Sequence, residues 1–189
     1  MVKFFMIIIY NSVMKIVNLG CGNKEYPGSI GVDISNRYNP DVVHDLNVFP
    51  YPFESGEVDL FILDNVLEHL ESPISTMTEL YRLLKPGGNV KVIVPYFRSR
   101  WAYADPTHKT FYTVDSFAYY DPSHPIYTSY DYTDIKFRVD KRVFNENIIS
   151  PNVLKKLLVM VANKFPNRYE NVLSQLFPLD DLTFYLTKL

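Results

Sequence analysis

The sequence predicts an α/β fold, doubly wound around a mostly parallel sheet, and three observations carry this. From residue 15 to Pro95, short apolar runs alternate with turns and helical patterns, the grammar of a parallel sheet covered on both faces. The runs are near-continuous in valine, isoleucine and leucine, as strands buried on both sides require. Two strictly alternating segments follow much later in the chain and suit an edge pair. With 189 residues, 47% of them hydrophobic, the chain has enough apolar surface for one well-buried core and too little for two.

Taken in order, residues 1–13 open with an apolar leader, Met1 to Tyr10, that carries one lysine. It is too short to span a bilayer and no small-residue cleavage site follows it. It therefore reads as an extra edge element rather than a secretory signal. Residues 14–189 are expected to form a single domain. Residues 15–19, 30–34, 42–45, 58–63 and 89–94 read as five strands. Ser72-Pro73 marks a helix start, with serine as N-cap and proline in the first turn. Ile74, Met77, Tyr81 and Leu84 form an apolar stripe at helical spacing, and Pro86-Gly87-Gly88 stops it. Residues 96–132 are crowded with tyrosine, phenylalanine, aspartate and proline, with one short helix expected over 114–120. An irregular stretch after the carboxyl end of a strand is where such sheets bind ligands, so 96–132 is read as a substrate-facing cap.

Ile135, Phe137 and Val139 then alternate with polar residues as a half-buried strand. Ser150-Pro151 opens a helix whose buried face is expected to be Val153, Leu154, Leu157, Leu158 and Val161. A short helix is expected over 167–177. Leu182, Phe184 and Leu186 alternate in a last strand.

Charge and composition exclude several functions. Basic and acidic residues nearly cancel at a net −2, so no global field draws the chain to nucleic acid or an anionic membrane. The single cysteine, Cys21, permits neither an intrachain disulfide nor a thiolate cluster, which suits a reducing, cytoplasmic setting. His44, His69, His108 and His124 are dispersed without ligand spacing, so no metal site is expected.

The stretch with most to say chemically is Asn18-Leu19-Gly20-Cys21-Gly22, followed by Gly31-Val32-Asp33-Ile34. A buried strand runs into a tight glycine turn, where the backbone can approach a ligand closely. The next strand ends in Asp33, placed to accept hydrogen bonds from ribose hydroxyls. Dinucleotide binders carry a third glycine and a helix that meets the pyrophosphate. Here the third glycine is missing, and Pro27-Gly28 leaves room for at most one helical turn before the second strand. A nucleoside ligand without phosphate fits better.

These residues resemble the class I S-adenosylmethionine-dependent methyltransferases, type 11-like, in the LNLGCG group often linked to polysaccharide biosynthesis. The resemblance rests on Val17-Asn18-Leu19-Gly20-Cys21-Gly22 and Gly31-Val32-Asp33, then Val42-Val43-His44-Asp45-Leu46, Asp64-Asn65-Val66-Leu67-Glu68-His69-Leu70 and Leu83-Leu84-Lys85-Pro86-Gly87-Gly88. A weaker match runs from Asp105 to Thr113. It implies a seven-stranded Rossmann-like methyltransferase sheet with an antiparallel edge strand, and S-adenosyl-L-methionine as donor, leaving S-adenosyl-L-homocysteine. It also implies that Asn18, Leu19, Gly20, Cys21 and Gly22 lie against the methionine part, that Asp33 holds the ribose with Ile34 also among the donor-binding residues, and that Asp45 and Leu46 meet the adenine. Asp64, Asn65 and Val66 would line the sulfur and amino-acid end.

His69 reads as a packed or capping residue under the donor site. Glu68 and His69, taken as neighbours on a helix, would not share a face. His108, in the rigid Asp105-Pro106-Thr107-His108 turn, is a candidate general base, with packing among aromatics as the alternative. Tyr96, Arg98, Trp101, Tyr103 and Tyr112 are weaker candidates for the acceptor wall. The acceptor implied by the resemblance is a glycan or other small molecule. A protein or nucleic-acid methyltransferase and a catalytically inactive donor-binding partner module stay open, as does a homo-oligomer. A base methyltransferase would want an Asn-Pro-Pro-aromatic element where this chain has Asp64-Asn65-Val66-Leu67.

Overall fold

Strands form where the apolar runs lie. The computed structural model describes residues 14–129, 132–146 and 152–189; the leader and the Ser150-Pro151 helix start lie outside the described residues. β1 (Ile16–Leu19), β2 (Ser29–Asp33), β3 (Val42–Val43), β4 (Val58–Asp64), β5 (Leu84–Pro95), β6 (Phe137–Phe144) and β7 (Asp181–Lys188) make one sheet, ordered β3-β2-β1-β4-β5-β7-β6. The first five strands are parallel. β7 runs antiparallel to both β5 and β6, so the reversed strand sits one place in from the edge and β6 closes the sheet.

Register decides where a ligand can sit. Leu19 at the end of β1 lies beside Val32 of β2 and Leu63 of β4, and Asp64 lies beside Ile93 of β5. The carboxyl ends of β1, β2 and β4 are therefore level. Strand order reverses between β1 and β4, and in open α/β sheets that crevice is the binding position.

Helix α1 (Pro73–Leu83) begins as expected, with Ser72 Oγ accepting from the Ser75 amide. Its buried face is Thr76, Met77, Glu79, Leu80 and Leu83, while Ile74 is exposed and Leu84 already belongs to β5. The stripe is turned from the expected one because Glu79 is accommodated inside. Its carboxylate takes a 2.7 Å hydrogen bond from the Tyr51 amide and two from Arg82.

Helix α2 (Trp101–Ala104) is a single turn in the cap. Helix α3 (Val153–Lys164) corrects the expected face more sharply: Val153, Leu154 and Leu157 are 75%, 76% and 51% exposed. Only the second half of the helix reaches the core, through Leu158, Val159 and buried Ala162. The 167–177 helix is instead a helical turn at Pro166–Arg168 running into a π-turn at Tyr169–Leu173. The 114–120 helix shrinks to a 3-10 turn at Ala118–Tyr120. Among the described residues no helix is long and apolar enough to cross a membrane.

Candidate active site

The glycine turn after β1 is shaped by two positive backbone angles. Gly20 has φ +63°, and a Cβ there would lie 2.5 Å from Cγ2 of Val66. Gly22 has φ +48°, and a Cβ there would meet nothing within 4 Å. Gly20 thus allows close packing against the β4 loop, and Gly22 leaves its backbone facing open space. Asp33 is fastened to this turn: Oδ2 accepts from the Gly22 amide and Oδ1 from the Ser35 amide, each at 2.8 Å.

Asn18 is buried and donates to the Lys24 carbonyl at 2.9 Å. Leu19 and Cys21 are also buried, and burial followed by the Asp33 charge pushes the Cys21 thiol up, away from nucleophile chemistry. A cavity of about 590 Å³ opens here, lined by Asn18, Cys21, Gly22, Lys24 and Tyr26 among others. Ile34 is 66% exposed, an apolar surface beside Asp33. Asp45 is half-buried and its Oδ1 accepts from Asn47, while Leu46 is buried.

The end of β4 joins this turn to a second hollow. Lys24 Nζ lies 2.7 Å from Asp64 Oδ1, Tyr26 donates to Oδ2 at 3.0 Å and Asn65 Nδ2 to Oδ1 at 2.9 Å. Burial and then the Asp64 charge hold the Tyr26 hydroxyl up at about 12, so it stays a donor. Asn65 has φ +56°, a left-handed conformation that asparagine tolerates better than most residues.

Asn65 also borders a cavity of about 660 Å³, whose lining includes Glu68, His69, Trp101, Asp105, His108 and Asp181. The Lys109 and Thr110 amides both donate to the Glu68 carbonyl, at 2.7 and 3.3 Å, fastening the cap to the 3-10 turn Leu67–His69.

Hydrogen bonding fixes both ring tautomers in this cavity. His108 Nδ1 is 2.9 Å from the Ala102 carbonyl, which can only accept, so Nδ1 carries the hydrogen and it is Nε2 that holds the lone pair of the neutral ring. His69 Nδ1 is 2.8 Å from Thr107 Oγ1, whose own hydrogen goes to Asp105 Oδ1 at 2.7 Å. His69 is therefore also the Nδ1–H form by this network. The two rings meet edge to face with centroids 4.6 Å apart, and burial, then the neighbouring His108, lowers the His69 pKa. Burial raises Glu68 to about 7. Burial, with Asp180 next, raises Asp181 to about 6.

Several expected placements change. Glu68 and His69 do converge on one cavity, because adjacent residues of a 3-10 turn followed by an extended Leu70 are not held to α-helical directions. Histidines dispersed along the chain need not be dispersed in space, and His69 and His108 are in ring contact. Tyr96 and Tyr112 are core residues: Tyr96 packs edge-on against Phe144, and the Tyr112 hydroxyl reaches the Leu67 carbonyl. Neither can present a wall to the acceptor. Trp101 does line the 660 Å³ cavity, whereas Arg98 and Tyr103 line a smaller one of about 260 Å³. Val66 is buried as packing beneath Gly20. Sequence reasoning passed over Lys24, Tyr26 and Asp181. A lysine two residues after the glycine turn was the one signal available.

The strand order, the level strand ends and the glycine turn can be set beside known proteins. A family model described as a methyltransferase domain matches residues 27–92, a span that starts after the glycine turn. The fold as a whole is that of S-adenosylmethionine-dependent methyltransferases of known structure. Among solved structures, the chain is similar to an S-adenosylmethionine-dependent methyltransferase from Archaeoglobus fulgidus, with TM-score 0.54 and 19% identity over 94% of this chain and 87% of that one. A second such enzyme, from Mesorhizobium loti, gives TM-score 0.55 and 16% identity over 93% and 91% of the two chains. A third match, at TM-score 0.55 and 17% identity over 94% and 84%, comes from a complex of the Haloferax volcanii Trm112 methyltransferase activator with a methyltransferase. No curated protein matches the chain by sequence.

Proposed function

We propose that the chain transfers a methyl group from S-adenosyl-L-methionine to a small-molecule or glycan acceptor and releases S-adenosyl-L-homocysteine. The reading is carried by one juxtaposition. Consecutive residues where β4 ends connect two hollows: Asp64 is bound by Lys24 and Tyr26, which line the glycine-turn cavity, and Asn65, the next residue, lines the cavity of Trp101 and His108. Donor and acceptor held on the two sides would meet at the strand ends. Residues 14–189 act in this reading as one domain, with 96–132 as its substrate-facing cap.

In this arrangement the Gly20 to Gly22 backbone lies along the methionine part, shaped by Asn18, Leu19, Cys21 and Val66. Asp33 accepts from the ribose hydroxyls, exposed Ile34 lies against the adenine, and Asp45 with the Leu46 amide meets its polar edge. The donor is already activated, since its sulfur leaves as a neutral thioether. What the protein supplies is alignment and a destination for a proton. A lone pair of the acceptor oxygen attacks the methyl carbon, the carbon–sulfur pair returns to sulfur, and the released proton passes to His108 Nε2.

The test has two arms. Calorimetry should show binding of S-adenosylhomocysteine and none of a nicotinamide dinucleotide; no binding of the former overturns the donor assignment. Radiolabelled-methyl transfer into fractionated host extract should label low-mass or carbohydrate fractions. Label in protein or nucleic acid would reassign the acceptor, and a bound donor that never turns over with any fraction would mark an inactive module. Whole extract also supplies any activator of the kind seen with the Haloferax volcanii neighbour.

A further inference from the structure

Glu68 is 1% exposed, yet neither carboxylate oxygen has a hydrogen-bond partner. A carboxylate taken from water without a partner is unfavourable by several kcal/mol or more, so such groups are protonated or meet a cation. The nearby lysine, Lys24, is already committed to Asp64. What faces Glu68 instead is a pair of imidazoles: one ligand atom from each of Glu68, His69 and His108 all lie within 4.8 Å of one another.

We propose that Glu68, His69 and His108 form a binding site for a single divalent transition-metal ion of the zinc or iron(II) class. Two imidazole nitrogens and one carboxylate are a donor set such ions favour over magnesium or calcium, which take oxygen ligands. The availability of the lone pairs supports the site independently of the distances. Each ring has its Nδ1 hydrogen occupied, His108 by the Ala102 carbonyl and His69 by Thr107 in series with Asp105. That is the outer arrangement that orients a metal-binding histidine and leaves Nε2 free to ligate.

Ligands about 2.1 Å from a tetrahedral ion stand about 3.4 Å apart, so side chains whose ligand atoms lie within 4.8 Å of one another close by at most about 1.4 Å as an ion enters. His69 and His108 are only half-buried at the cavity wall and have room to turn. Three protein ligands leave a fourth position, as at catalytic rather than structural zinc. The cavity that these residues line would offer it to an acceptor oxygen, whose proton the ion would help release to solvent, because His108 Nε2 is then a ligand and takes the proton itself only when no ion is bound. Under methyl transfer the site therefore belongs to the acceptor side, but the presence of the ion does not depend on that chemistry.

The experiment reads the ion directly. Protein stripped with a chelator is titrated with cobalt(II), followed by visible absorption, and with zinc(II) in competition, with magnesium(II) as control. One equivalent of cobalt should bind, zinc should displace it, and magnesium should not. His69→Ala, His108→Ala and Glu68→Gln should each weaken binding by more than about tenfold. Thr107→Val, a change at the periphery that deletes the acceptor for His69 Nδ1, should weaken binding about tenfold, with Thr107→Ser restoring it. Less than one equivalent bound, or Thr107→Val and the ligand variants binding as tightly as the parent, overturns the proposal. Binding of S-adenosylhomocysteine, measured in parallel on the same samples, reports the donor assignment separately, so failure of one is not read as failure of the other.

Discussion

Gly20 and Val66 interlock: a Cβ on Gly20 would stand 2.5 Å from Cγ2 and 2.8 Å from Cγ1 of the valine. The turn after β1 and the loop after β4 are thereby held against each other beneath the site. Gly20→Ala meets two penalties, a left-handed φ of +63° and a clash with a buried side chain, together about 2–5 kcal/mol. Gly22→Ala meets only the first, about 1–2 kcal/mol, because its Cβ would enter open space. Denaturant unfolding should rank them in that order. Val66→Ala in the Gly20→Ala background should recover part of the loss, whereas strict additivity of the two changes would show that the contact does not limit the turn.

Asp33 serves the turn before it serves any ligand, since its two oxygens already accept from the Gly22 and Ser35 amides. A carboxylate fixed this way is pre-oriented and keeps lone pairs for a ribose. Asp33→Ala should weaken S-adenosylhomocysteine binding by about 1–3 kcal/mol in calorimetry, the usual loss for a charged hydrogen-bond partner. Unchanged affinity would remove Asp33 from the site.

The glycine-turn side of the candidate site was legible in the sequence as a set of strand ends because each of its pieces is local. Asn18 to Gly22, Asp33 and Asp64-Asn65 each end an apolar run, and parallel strands in register bring those ends level. The cavity under the cap was not legible. Glu68 and His69 meet His108 only because the cap folds back, with the Lys109 amide on the Glu68 carbonyl, a contact that no periodicity announces. Likewise the apolar stripe of α3 was visible, but not that half of the helix would extend past the core and leave Leu154 and Leu157 in an open groove beside Leu176 and Phe177. Hydrophobic spacing identifies a face; it does not say what surface is there to receive it.

His108 is positioned by Ala102 with its Nε2 lone pair left over. His108→Ala should lower turnover by about a hundredfold or more, as expected when a proton acceptor is lost. Affinity for S-adenosylhomocysteine should stay within about twofold, since the ring lies across Asn65 from the donor turn. Parallel loss of donor affinity would place His108 in the donor site or in the fold rather than on the acceptor.

Glu79 gives a prediction about pH. Its side chain is buried on α1, and hydrogen bonds from Arg82 hold its pKa below the ordinary carboxylate value, with a further contribution from the Tyr51 amide. A depressed carboxyl pKa means that the unfolded chain takes up the proton more readily than the folded one. The stabilisation is therefore present above the unfolded value of about 4.3 and is lost as pH falls through the folded one. At neutral pH Glu79→Gln should lower unfolding free energy by about 1.5–3 kcal/mol, the range for hydrogen bonds to a charged group. Urea unfolding over a pH series should show the gap between parent and variant narrowing as acid protonates the parent carboxylate, because the two side chains then become nearly equivalent. A gap that stays constant to about pH 3 would mean that packing of α1 against the sheet, and not the Arg82 and Tyr51 contacts, sets the contribution of Glu79.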